Sequence, residues 1–346
     1  MLNKCLRLIP KIFLLGSVAS LHAYDVLVLA EPIIDRTCRV DERTFGRLRL
    51  EKGEWQGINY TQLNAHLADF FAQEDMALAG SAINVVKGLA KLNNQCAVIG
   101  AVGTDRCGCW IVEELANLGI RFFYNQVPIP TSQCLCFVTP DGERTMLTYM
   151  GASQHMQEDL LDPKNFENLK FFHLEGYQIF QDKLAQAALK LAKRNGATIS
   201  MNLASPHLAK EKRDAYLYLI KNYANIVFCN ESESLAISGL EDPLDACKWL
   251  AEFCDIAVVT QGGKGGVLHS KGETLFFDAK KVVVKDTTGA GDLFSSGFIH
   301  AYLQGKSLKE CLLVGRDLAA KVVSVYGVDI QDCEWESLEN GSEILD

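Results

Sequence analysis

The chain lacks an excess of basic residues: 34 Lys and Arg stand against 43 Asp and Glu, a formal net charge of −9 over 346 residues. Proteins that track a nucleic-acid backbone display clustered cationic excess. No nucleic-acid partner is therefore expected, although a nucleotide site needs only a local positive field. Zinc-ribbon cysteine pairs are missing too. The twelve cysteines are scattered, and the two close pairs, Cys107/Cys109 and Cys134/Cys136, have C-x-C rather than C-x2-C spacing. Free thiols in that number suit a reducing compartment. Cys134, Cys136 and Val138 read as one face of a strand, with Leu135 and Phe137 on the other. No internal repeat or low-complexity linker is present.

The first 23 residues point elsewhere. Lys4, Arg7 and Lys11 precede the apolar run Ile12 to Ala19, and Ser20-Leu21-His22-Ala23 supplies a small-residue end, the pattern of a secretory signal. The run is short for a membrane span. A strand-like segment, Asp25 to Leu29, begins almost at the cleavage point. Residues 1–23 are read as a signal-like or non-conforming extension, 24–330 as one α/β domain and 331–346 as a C-terminal tail. A cytoplasmic location is expected, with export or membrane attachment left open by the extension.

At 48% hydrophobic and 22% charged, the chain has ample apolar material for a core. From Val26 onward, apolar runs alternate with helical periodicity, which predicts a mostly parallel sheet covered by helices on both faces. Expected helices include 80–92, 111–118, 181–194, 243–253, 290–303 and 308–326; expected strands include 97–100, 171–174, 198–202, 226–229 and 256–260. A hairpin is expected over 266–278. Two stretches break the rhythm, 36–58 and 121–149, the second with a turn at Asp141-Gly142. Both leave and re-enter the α/β body and predict a small β lid.

The chemistry concentrates at Asp286-Thr287-Thr288-Gly289-Ala290-Gly291-Asp292, which runs into an apolar helix. Small residues let consecutive backbone N–H groups converge on an anion, and the helix directs its positive end at the same spot. Asp292, in the first turn, could take a proton from a hydroxyl while Gly289, Ala290 and Gly291 hold a phosphoryl group; it could also be a helix-dipole partner after a flexible turn. Asp35, beyond the first strand, could accept two hydrogen bonds from a vicinal diol or be a surface-loop carboxylate. Gly80 and Asn84 open a helix where a substrate could approach the backbone, or where Gly-Ser is an ordinary N-cap. Asn230 and Glu233 share a helical face and suit water-mediated Mg2+ and phosphate contacts, or form a capping box. Thr260-Gln261-Gly262-Gly263-Lys264-Gly265-Gly266 lacks Walker spacing, which excludes a P-loop.

Taken in this order, these pieces resemble the ribokinase-like carbohydrate and nucleoside kinase family, also called pfkB, over residues 25 to 330. The likeness rests on Asp286 to Ile299, on Asn230 and Glu233 as its Asn-x-x-Glu motif, and on Thr260, Gly262 and Gly265 as its ATP-side turn. It implies a three-layer α/β/α sandwich with a β lid, and an ATP-dependent phosphotransferase acting on a primary alcohol. Gly142 to Met146, Gly151-Ala152, Glu175-Gly176-Tyr177, Met201 to Pro206 and Phe228 to Glu231 resemble the adenosine kinases and their bacterial relatives. The resemblance implies that Asp35 and Asn84 hold ribose hydroxyls near Gly80, that Tyr177 stacks on a base, that Arg144 steadies charge or orders the lid, and that Asp292 is the base. Asn230, Glu233, Thr260, Gly262, Gly265, Asp286 and Thr287 would serve the nucleotide, with Mg2+ reached from Glu233 through water and K+ as a further candidate ion. Sugars are the alternative acceptors, and a monomer or a lid-mediated dimer both fit. A ligand-binding homologue without catalysis would need neither Asp292 nor the Asn230/Glu233 pair. Ala79 and Ala30 stand where the family has Gly, and since Ala does not take positive φ cheaply, a changed lid hinge or substrate choice is expected.

Overall fold

The computed structural model describes residues 24–330 except 53, 54, 71–75, 142 and 329, together with Trp335. The signal-like extension, Gly142 of the expected turn and the rest of the tail lie outside the described residues. Fourteen strands appear in chain order: β1 Val26–Leu29, β2 Ile33–Arg39, β3 Trp55–Gly57, β4 Ala77–Ala79, β5 Cys96–Gly103, β6 Arg121–Val127, β7 Gln133–Val138, β8 Arg144–Tyr149, β9 Phe171–Leu174, β10 Thr198–Asn202, β11 Ile226–Asn230, β12 Ile256–Thr260, β13 Gly266–Ser270 and β14 Glu273–Phe277.

Nine of them form one sheet in the order β14-β13-β12-β11-β10-β9-β1-β5-β6. It is parallel from β6 to β12, and the antiparallel pairings β12–β13 and β13–β14 reverse β13 alone. Helices cover both faces, so strands such as β1 and β5 are buried in every position. Leu27 and Leu29 join a core with Leu184, Ala188, Tyr216, Ile220 and Leu250, while Val26 and Val28 face Ile83, Val86, Phe294 and Phe298. This is the three-layer sandwich expected.

The remaining strands form a second sheet, β3-β8-β7-β2-β4. Leu135 and Phe137 pack with Phe45 and Leu63 from two short helices, Glu42–Leu48 and Tyr60–Phe70, into a small core of its own. Cys134 and Cys136 occupy the other face, and the ten cysteines among the described residues are free thiols.

Two expectations about this lid need correction. Arg121–Val127 was placed in it but is the edge strand of the large sheet, parallel to β5 from Ala97↔Arg121 to Gly103↔Val127. An edge strand with one covered face alternates just as a lid strand does, so the pattern alone could not separate them. The lid also starts earlier, at Ile33, and takes in Ala77–Ala79 and the unforeseen Tyr60–Phe70 helix. Trp335, from the expected tail, is buried against Leu293, Leu318 and Val322 of the body.

The Ala290–Leu303 helix is held where two glycines let backbones touch. A Cβ on Gly297 would lie 2.7 Å from the Val314 carbonyl oxygen, and one on Gly315 would lie 2.7 Å from that of Phe294. The Leu308–Val323 helix thereby clamps its neighbour against the sheet.

Candidate active site

The loops that follow β1, β9, β11 and β12 gather at the carboxyl edge of the large sheet, where open α/β sheets bind ligands. The Ala290–Leu303 helix points its N-terminus at the same place. Gly289 takes the left-handed conformation (φ 75°) to start that helix. In the first turn, a Cβ on Gly291 would meet nothing within 4 Å. Among the described residues no neighbouring element crowds the first turn at Gly291, which leaves room beside it for an anion.

The loop before the cradle is folded by Asp286. Its Oδ1 accepts from Thr288 N (2.9 Å) and Thr288 Oγ1 (2.7 Å), and its Oδ2 from Gly327 N (2.9 Å) and Arg144 Nη1 (2.7 Å). Arg144 also donates to Thr288 Oγ1, and its Nε lies 3.1 Å from Cys136 Sγ. Asp286 thus organises the cradle and ties it to lid strand β8, with Thr287 carried inside that loop.

Asp292 is gripped from the Ser81–Lys91 helix: Ser81 Oγ donates to Oδ1 (2.7 Å) and Asn84 Nδ2 to Oδ2 (2.8 Å). Burial, reinforced by the carboxylates of Glu175 and Glu233, lifts its pKa to about 7 against these two hydrogen bonds. A carboxyl tuned there is suited to accept a proton near neutrality. The dipole-partner reading is satisfied by the same position.

Ser81 is the residue that sequence reasoning missed as a functional group. It was weighed only as an N-cap, but the cap is Gly80, with no side-chain cap bond, and the Ser81 hydroxyl goes to Asp292. Asn84 also reverses the expected polarity. Its amide N–H is spent on Asp292, while its Oδ1 is buried and unpartnered, so the group it leaves over is an acceptor. Gly80 has φ 112°, and a Cβ there would lie 2.6 Å from the Glu31 carbonyl oxygen. Ala79 and Ala30 have no positive φ. Gly80 alone needs glycine geometry, so the two alanines put no strain on the hinge.

Asp35 lies in lid strand β2, half-buried, with its pKa raised to about 6 by burial and held back by Arg144 and Lys87. Glu31, which accepts from Gln181 Nε2 (3.2 Å), is raised by burial to about 7. Tyr177 stands on the turn after β9 with 40% of its surface exposed; burial of the hydroxyl and the carboxylates of Glu175, Glu233, Asp292 and Glu31 push its pKa up to about 12.

On the other side of the cleft, Asn230 and Glu233 form a complete capping box: Asn230 Oδ1 accepts from Glu233 N, and Glu233 Oε2 from Asn230 N, both at 2.9 Å. Glu233 Oε1 also takes Asn230 Nδ2 at 2.9 Å. Glu233 is 5% exposed, and burial raises it to about 7. Thr260 ends β12, and the turn to β13 uses positive φ at Gly262 (55°) and Gly265 (91°). A Cβ on Gly265 would collide with the Phe277 carbonyl, whereas Gly262 faces open space. This segment is a hairpin turn that leaves its tip free over the cleft.

Residues 71–335, which hold the cradle, Asp292 and the partners that grip it, match the pfkB family of carbohydrate kinases. The chain belongs to the pfkB family. The adenosine kinase of Sinorhizobium meliloti is 30% identical in sequence and superposes with a TM-score of 0.80, covering 88% of this chain and 95% of that one. A probable sugar kinase from Rhizobium etli is 28% identical with a TM-score of 0.83, covering 92% and 98%. A nucleoside kinase of Methanocaldococcus jannaschii is 29% identical over 75% of this chain and 83% of its own length. As a pfkB kinase, the chain transfers a phosphoryl group from ATP to an alcohol of a sugar or nucleoside. No helix among the described residues is long and apolar enough to cross a membrane.

Proposed function

We propose that this kinase phosphorylates the primary hydroxyl of a nucleoside, with adenosine the foremost acceptor. The observation that carries the nucleoside over a bare sugar is Tyr177, an aromatic ring 40% exposed on the rim and close enough to Asp292 to feel its charge. Asp35, Gly80 and Asn84 bound the space for the ribose hydroxyls: Asp35 and the unpartnered Asn84 Oδ1 offer acceptors, and Gly80 lets the helix that carries Asn84 start against the Glu31 carbonyl. Asp292 takes the proton of the hydroxyl aligned with it, while the N–H groups at Gly289, Ala290 and Gly291 receive the charge on the transferred phosphoryl group. Arg144 supplies a positive charge at the cradle's edge and reports lid position to it. Thr260, Gly262, Gly265, Asp286, Thr287 and Asn230 line or shape the nucleotide side.

Mg2+ fits this site through water. No group of three or more His, Cys, Asp or Glu side chains among the described residues could hold a bare ion, and the Glu233 oxygens already accept from Asn230. Buried acceptor oxygens facing the cleft suit an ion that keeps its hydration shell. When bound, Mg2+ would neutralise charge on the triphosphate. K+ is a further candidate ion, as the family resemblance implies.

The test is ADP release over adenosine, cytidine, ribose and fructose, in wild type and Tyr177→Ala. Base stacking is worth roughly 1–3 kcal/mol, so Tyr177→Ala should lower kcat/KM for adenosine about 5- to 150-fold by that range and leave ribose nearly untouched. A bare sugar is the second reading, favoured by the likeness to the Rhizobium etli protein. A wild type that prefers ribose or fructose establishes it instead.

A further inference from the structure

Behind the cradle, strand β9 carries a chain of buried polar groups that phosphoryl transfer as described leaves unused. His173 is 0% exposed and Glu175 2%. The His173 ring spans Ser200 Oγ on β10 (2.7 Å from Nδ1) and Glu175 Oε1 (3.0 Å from Nε2). Nε2–H donates to the carboxylate, and the serine hydroxyl fixes the ring from behind. This arrangement orients a carboxylate, as outer-shell partners do around metal sites. Glu175 Oε2 is buried and has no partner.

The same edge of the large sheet carries two further acidic groups, Glu233 in the first turn of the helix after β11 and Asp292 in the first turn of the Ala290–Leu303 helix. Glu175 acts on Asp292 more strongly than any other charged group, and it acts on Glu233 as well. Ser81 and Asn84 donate to Asp292, and Asn230 to Glu233. Three acidic side chains therefore stand at one edge of the sheet, and one of them, Glu175, has an oxygen sealed from bulk water and without a donor.

We propose that Glu175 is a second outer-sphere carboxylate for the hydrated Mg2+ of the nucleotide, opposite Glu233, with His173 and Ser200 as its positioning residues. The inference rests on the Mg2+ reading above. A hydrated divalent ion supplies what the cluster lacks, two positive charges and water O–H donors. A substrate hydroxyl would supply a donor but leave the charge unopposed.

Mn2+ is the probe, titrated by electron paramagnetic resonance into the full chain with ADP and, separately, without it. Glu175→Gln should weaken Mn2+ binding to the ADP complex by about 10- to 100-fold, with ADP affinity in EDTA unchanged. Glu233→Gln should act in the same direction. Should Glu233→Gln weaken Mn2+ while Glu175→Gln leaves it intact, this inference falls alone; should both leave it intact, the Mg2+ reading falls with it. Intact Mn2+ binding with a raised acceptor KM in Glu175→Gln makes Glu175 a substrate contact and overturns the proposal. If Glu175→Gln does not fold, Ser200→Ala loosens the ring without touching the carboxylate. A several-fold loss of Mn2+ affinity there supports the positioning role, and no loss overturns it.

Discussion

Asp292 accepts from two different residues of one neighbouring helix, so its carboxylate is held in plane and aimed while its proton affinity is raised by burial and by Glu175. Asp292→Asn should fold and bind ATP yet lose about 10²–10⁴ in kcat, the usual share of a general base; near wild-type turnover would remove it from that role. The base acts ionised, and its pKa is about 7. In wild type, kcat should therefore fall as pH drops through 7, and a profile flat from pH 6 to 8 would contradict this assignment. At this scale the sequence was legible where chemistry is local to a motif, as at Asp292 and Asn230/Glu233. Ser81 was not legible, because its partner is 211 residues away and a Ser after Gly has an ordinary capping use. Of the two readings of Asn230/Glu233, the capping box is the one the structure forms; the Mg2+ reading of the same pair is left to the Mn2+ titration.

The Ser81–Lys91 helix begins where the chain returning from β4 passes against the chain leaving β1. Gly80 makes that crossing, with φ 112° and its Cα against the Glu31 carbonyl. Gly80→Ala should cost about 1–3 kcal/mol for the strained backbone and lower kcat beyond any loss of stability, because Ser81 and Asn84 start from it. Thermal melts and kcat measured together check this; a destabilised variant with unchanged kcat would separate the hinge from the base. The buried parallel strands and the helices between them could be read from periodicity because both faces are covered. The lid could not be divided correctly, since β6 and the true lid strands alternate alike and their sheet membership depends on partners far along the chain. The Asp105 cap, which accepts from Gly108 N, likewise starts the Arg106–Asn117 helix five residues before the apolar pattern suggested.

Across the whole molecule, a cleft lined by carboxylates trades stability for function. Glu31, Asp35, Glu233 and Asp292 all hold protons more tightly folded than their ordinary values allow. From about pH 4 up to about 6 for Asp35 and about 7 for the other three, each makes the folded state bind more protons than the unfolded one, so its contribution is full at low pH and is lost as pH rises. Glu31→Gln removes one such group and keeps an oxygen for Gln181. Its Tm relative to wild type should rise steadily from pH 5 to pH 8, and a constant difference would mean that Glu31 is not buried as described. The lid sheet has a different consequence, in time rather than in energy. Strand β2 pairs with β7 from Ile34↔Gln133 to Arg39↔Val138, and β3 with β8 from Trp55↔Met146 to Gly57↔Thr148. Each of these parallel rungs closes a loop of about a hundred residues, whose entropy must be lost before any contact forms. About half of that loop is body, so the lid's parallel rungs are expected to close only after the body between them has brought its segments together. Backbone amides of residues 33–39 should therefore exchange with deuterium sooner than those of 171–174, and equal protection would mean that lid and body open as one unit. On refolding, the order reverses: the nucleotide side of the cleft forms while the acceptor side is still uncovered, and the nascent enzyme acquires a place for ATP before it acquires a roof.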